Sequence, residues 1–341
     1  MVLVNLYYAL ISLIETNLAF SFTALVLAFI ILAKCADLFV DSSVEIAAKF
    51  KVPKLVIGIV LVSFATTAPE LAVSLMSALS GQPEMALGNA IGSVICDDGL
   101  ALALAGLAAA SPIVISRRIF KTSGIFLLGI ECISFLFVLF DNTLNRWEGI
   151  VLVSLFIGYI ILLYRQHKQG KLQGDIEEEL LQREPSSTVK LSMFFIISLS
   201  GIILSSKLIV VSATSIAYAF HIPESIIALT IVAFGTSIPE VATCVIAARK
   251  RHGAIAVGNI IGADIMNICW VAGASAIANP LVLGLKETWF MFPAMFVVVG
   301  TMLLMLRINY SLNRVKGAIL LAIYAIYLYL ALFVMKFPIN Y

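Results

Sequence analysis

Two short runs carry most of the chemistry open to this sequence: Phe64-Ala65-Thr66-Thr67-Ala68-Pro69-Glu70 and Phe234-Gly235-Thr236-Ser237-Ile238-Pro239-Glu240. Each sets two small or hydroxyl residues, a proline and a glutamate inside an apolar stretch. Glu70 follows Lys54 by 16 residues, about 24 Å along a helix rising ~1.5 Å per residue. Glu240 is similarly central between Pro223 and Arg249. A carboxylate that deep in hydrocarbon is costly unless it is paired, protonated or bound to a cation, so function is the default reading for both. Pro69 and Pro239 lack an N–H and clash with the preceding turn, which predicts a kink at each and carbonyl oxygens freed from about Ser63 and Ala233 onward to face a cavity. With the hydroxyls of Thr66, Thr67, Thr236 and Ser237, this is a hard-oxygen set suited to Ca²⁺, which takes about six to eight oxygens at roughly 2.3–2.6 Å. No histidine falls at a span centre, and Cys35, Cys96, Cys132, Cys244 and Cys269 are scattered without C-x-x-C spacing. A soft-metal site is therefore disfavoured, and the cysteines read as small buried hydrophobes.

The next apolar stretches add Asn89 and Asp97 in one case, and Asn259, Asp264 and Asn267 in the other. Asp97 and Asn267 each lie eight residues after their Asn, on the same helical face. Gly88, Gly92, Gly258 and Gly262 repeat at four-residue spacing, for which close helix packing is the preferred reading. Asp98 points about 100° away from Asp97 and reads as a second relay group or a carboxyl hydrogen-bonded within the bundle. Lys34, Asp37, Lys207 and Glu131 read as structural ion pairs or interfacial snorkelling groups before transport groups.

The elements that position these residues follow from composition. Of 341 residues 61% are hydrophobic and 12% charged, with a net charge of +2; a soluble domain carries about 25% charge. That excludes disordered, collagenous and disulfide-scaffold chains, and gives no sign of nucleic-acid binding. Cutting at charged and turn-forming clusters gives an all-α, polytopic membrane protein of about ten transmembrane helices, at 18–41, 54–80, 85–110, 121–140, 147–165, 190–218, 223–248, 254–279, 287–306 and 314–336. Loops after the odd-numbered helices hold Lys49, Lys51 and Lys54; Arg117, Arg118 and Lys121; Arg165, Lys168, Lys171, Arg183 and Lys190; Arg249, Lys250 and Arg251; and Arg307, Arg314 and Lys316, which is 17 of the 22 basic residues. The positive-inside rule puts these in the cytoplasm and both termini outside. Met1 to Leu13 reads as an extracytoplasmic lead into the first span, not as a cleaved signal peptide.

Shifting the chain by 170 residues lays Lys51-Val52-Pro53 on His221-Ile222-Pro223, Glu70 on Glu240, and Gly88-Asn89-Ala90-Ile91-Gly92 on Gly258-Asn259-Ile260-Ile261-Gly262 without a gap. Matching Pro, Glu, Asn and Gly in register marks a duplication. With five helices per copy the second is inverted across the membrane, the layout of transporters that alternate access about a midplane site. The expected division is a first membrane half (1–165), a cytoplasmic linker (166–189) and a second half (190–341).

At these residues the chain resembles the calcium/cation antiporter superfamily, in particular its prokaryotic sodium/calcium exchangers, through the motifs Ala65-Thr66-Thr67-Ala68-Pro69-Glu70, Gly235-Thr236-Ser237-Ile238-Pro239-Glu240, Gly88-Asn89-Ala90-Ile91-Gly92-Ser93 and Gly258-Asn259-Ile260-Ile261-Gly262-Ala263. The resemblance covers nearly the whole chain. It implies a Ca²⁺ site between Glu70 and Glu240 with Thr66 and Thr236, flanked by Na⁺ sites using Ser93, Ser237, Thr67 and backbone oxygens such as those of Ser63 and Ala233. The family's polar position four residues after the motif serine maps to Asp97 and Asn267. The sequence departs from the family at Ala263, which lacks the serine hydroxyl, and in having Asp at 97 with Asn at 267 where the archaeal exchangers have the reverse.

The expected function is antiport of Ca²⁺ against Na⁺ by alternating access in a prokaryotic cytoplasmic membrane, by a monomer in the lipid bilayer, with no cofactor, no nucleic acid and no enzymatic chemistry. An H⁺/Ca²⁺ antiporter on the same fold is the alternative, and a cation channel is the alternative of a different class.

Overall fold

The computed structural model describes residues 17–50, 54–169, 187–220 and 233–336. The expected lead segment before the first span, the middle of the linker and the start of the seventh helix lie outside these residues. Ten helical segments are seen: α1 (Leu18–Lys49), α2 in two parts (54–66 and Ala68–Leu79), α3 (Pro83–Ala108), α4 (Arg117–Leu139), α5 (Arg146–Lys168), α6 (Thr188–Ala219), α7 in two parts (Ala233–Thr236 and Ile238–Arg249), α8 (Gly253–Ala278), α9 (Leu285–Arg307) and α10 (Arg314–Lys336). Among the described residues, eight helices are long and apolar enough to cross a bilayer, or nine with the bent α2. The helix bounds differ from the expected ones by a few residues in either direction, most at α1, which runs on to Lys49 instead of 41; α5 reaches Lys168, beyond the expected boundary at 165.

The duplication is visible in the element boundaries. α1 and α6 start at 18 and 188, and the second parts of α2 and α7 at 68 and 238, both 170 apart; α4 and α9 start at 117 and 285, 168 apart. The second copy is two residues shorter in the loop after its third helix. Each half also carries two short strands, β1 (Ile113–Val114) and β2 (Thr143–Leu144) in the first, β3 (Leu281–Val282) and β4 (Ser311–Leu312) in the second. Among the described residues they pair only between halves: β1 antiparallel to β4 and β2 antiparallel to β3. Ile115 N–H donates to Tyr310 O and Leu283 N–H to Asn142 O, each at 2.9 Å, so the same link is made twice, once at each related position.

α3 and α8 form the centre, with 78% and 83% of their most apolar stretches buried, against 17% and 28% for α1 and α6. α1 packs along α6 and turns Val26, Phe29, Ile30 and Ile31 outward, as lipid-facing surface requires.

α2 and α7 are broken where the sequence predicts, but two residues earlier than the prolines. Thr67 (φ −78°, ψ 1°) and Ser237 (φ −85°, ψ 4°) interrupt the two helices, and the halves of α2 meet at 51°. Pro69 and Pro239 then sit in the first turn of a new helix, where a missing N–H costs nothing because the first N–H groups of a helix have no intrahelical partner. Breaking two residues ahead of each proline avoids the clash that a proline inside a continuous helix would create. Upstream, α2 loosens into a π-helical turn at Gly58–Val62.

Candidate functional site

Glu70 and Glu240 fall in the first turn of the second parts of α2 and α7. The N-terminal ends of both half-helices, with their partial positive charge, therefore meet the carboxylates at the breaks. Both side chains are fully buried. Each repeat supplies the hydroxyl for the other's acid: Thr236 faces Glu70 and Thr66 faces Glu240. No well-formed hydrogen bond closes on any of the four carboxylate oxygens. Glu70 is also within electrostatic reach of Glu240 and Asp97.

The halves meet because α8 crosses the first part of α2 at backbone contact. A methyl group at Gly58 would collide with Ile255 O and the Asn259 backbone N, and one at Gly262 with Ile59 O and the Ser63 hydroxyl. Of the glycines predicted to allow close packing, Gly262 does so; a methyl group at Gly88 would meet nothing within 4 Å and one at Gly92 only the Met291 Cε at 4.0 Å.

All the predicted side chains whose surroundings are described converge on this crossing. Thr66 and Thr67 lie at the end of the first part of α2, Thr236 and Ser237 at the corresponding place in α7, and Ser93, Asp97 and Asn267 on α3 and α8; all are buried. Asn267 Nδ2 donates to Asp97 Oδ2 at 3.4 Å, joining the two repeat-equivalent polar groups, and Ser237 faces Asp97. Asp97 and Asn267 each open a π-helical turn, Asp97–Ala101 and Asn267–Ala272. Ser237 Oγ, Ser93 Oγ, Asp97 Oδ1 and Asn267 Oδ1 are left, like the glutamates, without protein partners. A buried group of this kind is acceptor-rich and short of donors, which is the demand a cation satisfies.

One expectation is modified. The Ser63 carbonyl is engaged: it accepts from Thr67 N at 2.9 Å, from the Thr67 hydroxyl, and lies 3.4 Å from the Thr66 hydroxyl. In the second repeat the corresponding turn is tighter, Ser237 N bonding to Phe234 O at 3.1 Å; Ala233 is the first described residue of its helix. Asp37 forms a structural ion pair as expected, with Lys250 as its partner: Lys250 Nζ is 2.8 Å from Asp37 Oδ1 and 2.7 Å from Asp41 Oδ1. Lys34 and Lys207 are exposed on the outer helices.

Three further carboxyl groups, Asp98, Asp264 and Glu131, are fully buried beside one another, and their oxygens lack hydrogen-bond partners. Their positional counterparts in the other repeat are Ile268, Val94 and Val299, so this acidity belongs to one side of the pseudo-symmetry. Among the described residues, no three His, Cys, Asp or Glu side chains form a metal-ligand group by themselves; a cation between Glu70 and Glu240 would draw on hydroxyl oxygens as well as carboxylates.

Three residues next to the site escaped the motif reading. Ser74 and Cys244 tie the second parts of α2 and α7 to the helices that follow, and Met266 Sδ lies 3.6 Å from the Thr67 hydroxyl oxygen. The 170-residue shift places Cys244 on Ser74, which is the signal that could have flagged them.

The chain matches the sodium/calcium exchanger protein family over residues 20–165 and 190–333. It is 28% identical to sodium/calcium exchanger MaX1 of Methanosarcina acetivorans, across 90% of this chain and 97% of that one. It is 33% identical to inner membrane protein YrbG of Escherichia coli, across 75% and 79%. Among solved structures, the sodium-calcium exchanger NCX_Mj soaked with 100 mM Na⁺ and 10 mM Sr²⁺ superposes with a TM-score of 0.77 at 28% identity, covering 91% of this chain and 98% of that one.

Proposed function

Because the chain belongs to the sodium/calcium exchanger protein family and is an antiporter of that type, we propose that it moves Ca²⁺ across the membrane in exchange for Na⁺ at the crossing of the two broken helices. The observation that carries this reading is the pair of fully buried, unpartnered carboxylates, Glu70 and Glu240, one from each repeat and each at the start of a half-helix. Two negative charges match one Ca²⁺, or Na⁺ ions that occupy the same oxygens in turn. Thr66 and Thr236 complete the central site, and Thr67, Ser237, Ser93, Asp97, Asn267 and backbone oxygens near Ser63 and Ala233 flank it. Either cargo neutralises charge that the apolar interior does not tolerate bare. That requirement couples the exchange: the site crosses the membrane loaded with one ion type or the other.

α1 and α6, packed on each other and mostly facing lipid, are the elements that shift across the buried core to expose the site alternately to each side. In this reading the membrane halves, 1–165 and 190–341, are joined by the linker 166–189, and the distribution of basic residues supports a cytoplasmic linker with both termini outside. The proposed location is a cytoplasmic membrane. Every proposed ligand comes from one chain, which supports action as a monomer.

A proton-driven reading draws on one feature, the buried acids Asp97, Asp98, Asp264 and Glu131 close to the site. Reconstituted vesicles separate the two. Uptake of ⁴⁵Ca²⁺ that follows an imposed Na⁺ gradient and ignores a protonophore is the expected result. Uptake that follows a pH gradient and collapses with the protonophore would overturn Na⁺ coupling, and conductance without counter-transport would replace the antiporter with a channel.

A further inference from the structure

Thr66 is held by a chain of hydrogen bonds whose sense can be worked out from its far end. The Cys244 thiol donates to Ala256 O at 3.4 Å. A carbonyl only accepts, so the thiol proton is committed and Cys244 Sγ must act as an acceptor towards its other neighbour. That neighbour is the Asn259 side chain, 3.5 Å away, which therefore turns its NH₂ group to the sulfur. Its carbonyl oxygen, Oδ1, then faces Thr66 Oγ1 at 3.2 Å, and the Thr66 hydroxyl must be the donor. Two other acceptors lie near that hydroxyl: Ser63 O, farther at 3.4 Å and already taking the Thr67 N–H and the Thr67 hydroxyl, and the Glu240 carboxylate, which Thr66 faces but on which no hydrogen bond closes. With its proton spent on Asn259, Thr66 presents only lone pairs to the space it shares with Glu240. A hydroxyl fixed in that way is a cation ligand and not a donor to the carboxylate, consistent with both Glu240 oxygens being without a protein partner.

We propose that Asn259 and Cys244 are positioning residues for ion binding: they orient the Thr66 hydroxyl so that its lone pairs, and not its proton, face the transported cation. The inference rests on the Ca²⁺ site proposed above. The second repeat performs this service for the first, because Asn259 and Cys244 are on α8 and α7 while Thr66 is on α2. The first repeat holds the related set with oxygen in place of sulfur: Ser74 Oγ donates to Ala86 O at 3.1 Å, and Asn89 Nδ2 donates to Ser74 Oγ at 3.0 Å. Asn259 and Cys244 are fully buried, so water cannot take over the missing bond when one link is removed.

Na⁺-driven ⁴⁵Ca²⁺ uptake by the reconstituted full-length protein tests this. Cys244→Ala leaves the Asn259 amide without its acceptor and frees it to turn; KM for Ca²⁺ should rise about three- to tenfold with Vmax little changed, the scale of one buried hydrogen bond. Cys244→Ser, which copies position 74, should restore KM to within about twofold. Thr66→Ala should raise KM by itself, and adding Cys244→Ala to it should cost nothing more, because the relay then has nothing to orient. If Thr66→Ala raises KM while Cys244→Ala changes only the yield of folded protein, or if the two effects add, the relay is overturned and the ion site stands. A KM that Thr66→Ala leaves unchanged overturns the relay together with the assignment of Thr66 as a ligand.

Discussion

Asp97 and Asn267 occupy the same place in the two repeats, 170 positions apart, and in the folded chain they touch: Asn267 Nδ2 donates to Asp97 Oδ2 at 3.4 Å. The inverted duplication thus brings this position face to face with its own copy, one an acid and the other an amide of nearly the same shape. Asp97→Asn removes that charge without changing the packing, and Na⁺-driven Ca²⁺ uptake should fall about tenfold, the scale of coupling between contacting polar groups. Asp97→Asn combined with Asn267→Asp returns the charge one hydrogen bond away and should recover most of the rate. Initial ⁴⁵Ca²⁺ uptake in vesicles measures both, and a double variant no better than the single one would place the requirement on position 97 itself.

Glu70→Gln and Glu240→Gln each keep the shape of a ligand and delete its charge. Removing one partner of a buried charged assembly costs several kcal/mol, so transport should fall by about 100-fold or more. In cation-free buffer each variant should melt above the wild type, because an uncompensated buried charge has been taken away. The rise in Tm on adding Ca²⁺, which reports binding to the folded state, should be lost. A variant that still gains stability from Ca²⁺ would remove that glutamate from the site.

Gly262 and Gly88 hold different places in the same motif, and only the first sits where backbones touch. Gly262→Ala drives a methyl into Ile59 O and the Ser63 hydroxyl, and overpacking of this kind costs about 1–3 kcal/mol. Gly88→Ala meets nothing within 4 Å and should leave stability unchanged or raise it by about 0.4–1 kcal/mol. Thermal unfolding in detergent compares the two, and equal effects would contradict the close crossing of α2 and α8.

Lys250, just past the end of α7, ties that helix to α1 through Asp37 and Asp41. Partial burial disfavours its charge, but the hydrogen bonds and charges of the two aspartates outweigh this and hold its pKa above the ordinary lysine value of 10.5. With the folded pKa raised, the stabilisation is fully present below the ordinary value and is lost as pH rises through the raised one. Wild type should therefore exceed Lys250→Met in Tm by a constant margin from neutral pH to about pH 9, with the margin closing above the lysine range. The aspartates are half exposed, so the effect should be at most about 1 kcal/mol and should shrink in high salt. A margin that grows with pH would exclude the ion pair as its source.

Much of this architecture was legible in the sequence. Ten apolar segments, the duplication, and the two Pro-Glu runs with their hydroxyls are local patterns: lipid demands long apolar helices, proline breaks them, and a shifted comparison exposes the copy. The order of residues along the chain therefore determined which side chains are candidates for the site, Glu70, Glu240, Thr66, Thr236, Asp97 and Asn267 among them. It also located the two helix breaks to within two residues; the exact places, Thr67 and Ser237, depend on a proline being harmless in a first turn.

Tertiary structure decided who meets whom. Periodicity tells which face of a helix a residue is on, but contacts between residues of different halves depend on how the two halves dock. That docking set Asn259 against Thr66, gave Asp37 to Lys250, made Gly262 and not Gly88 the point of close approach, and gathered Asp98, Asp264 and Glu131 where the other repeat has Ile268, Val94 and Val299. The two halves share a motif, yet the neighbours that each copy meets belong to the other half and differ in sequence, so equivalent residues acquire different surroundings.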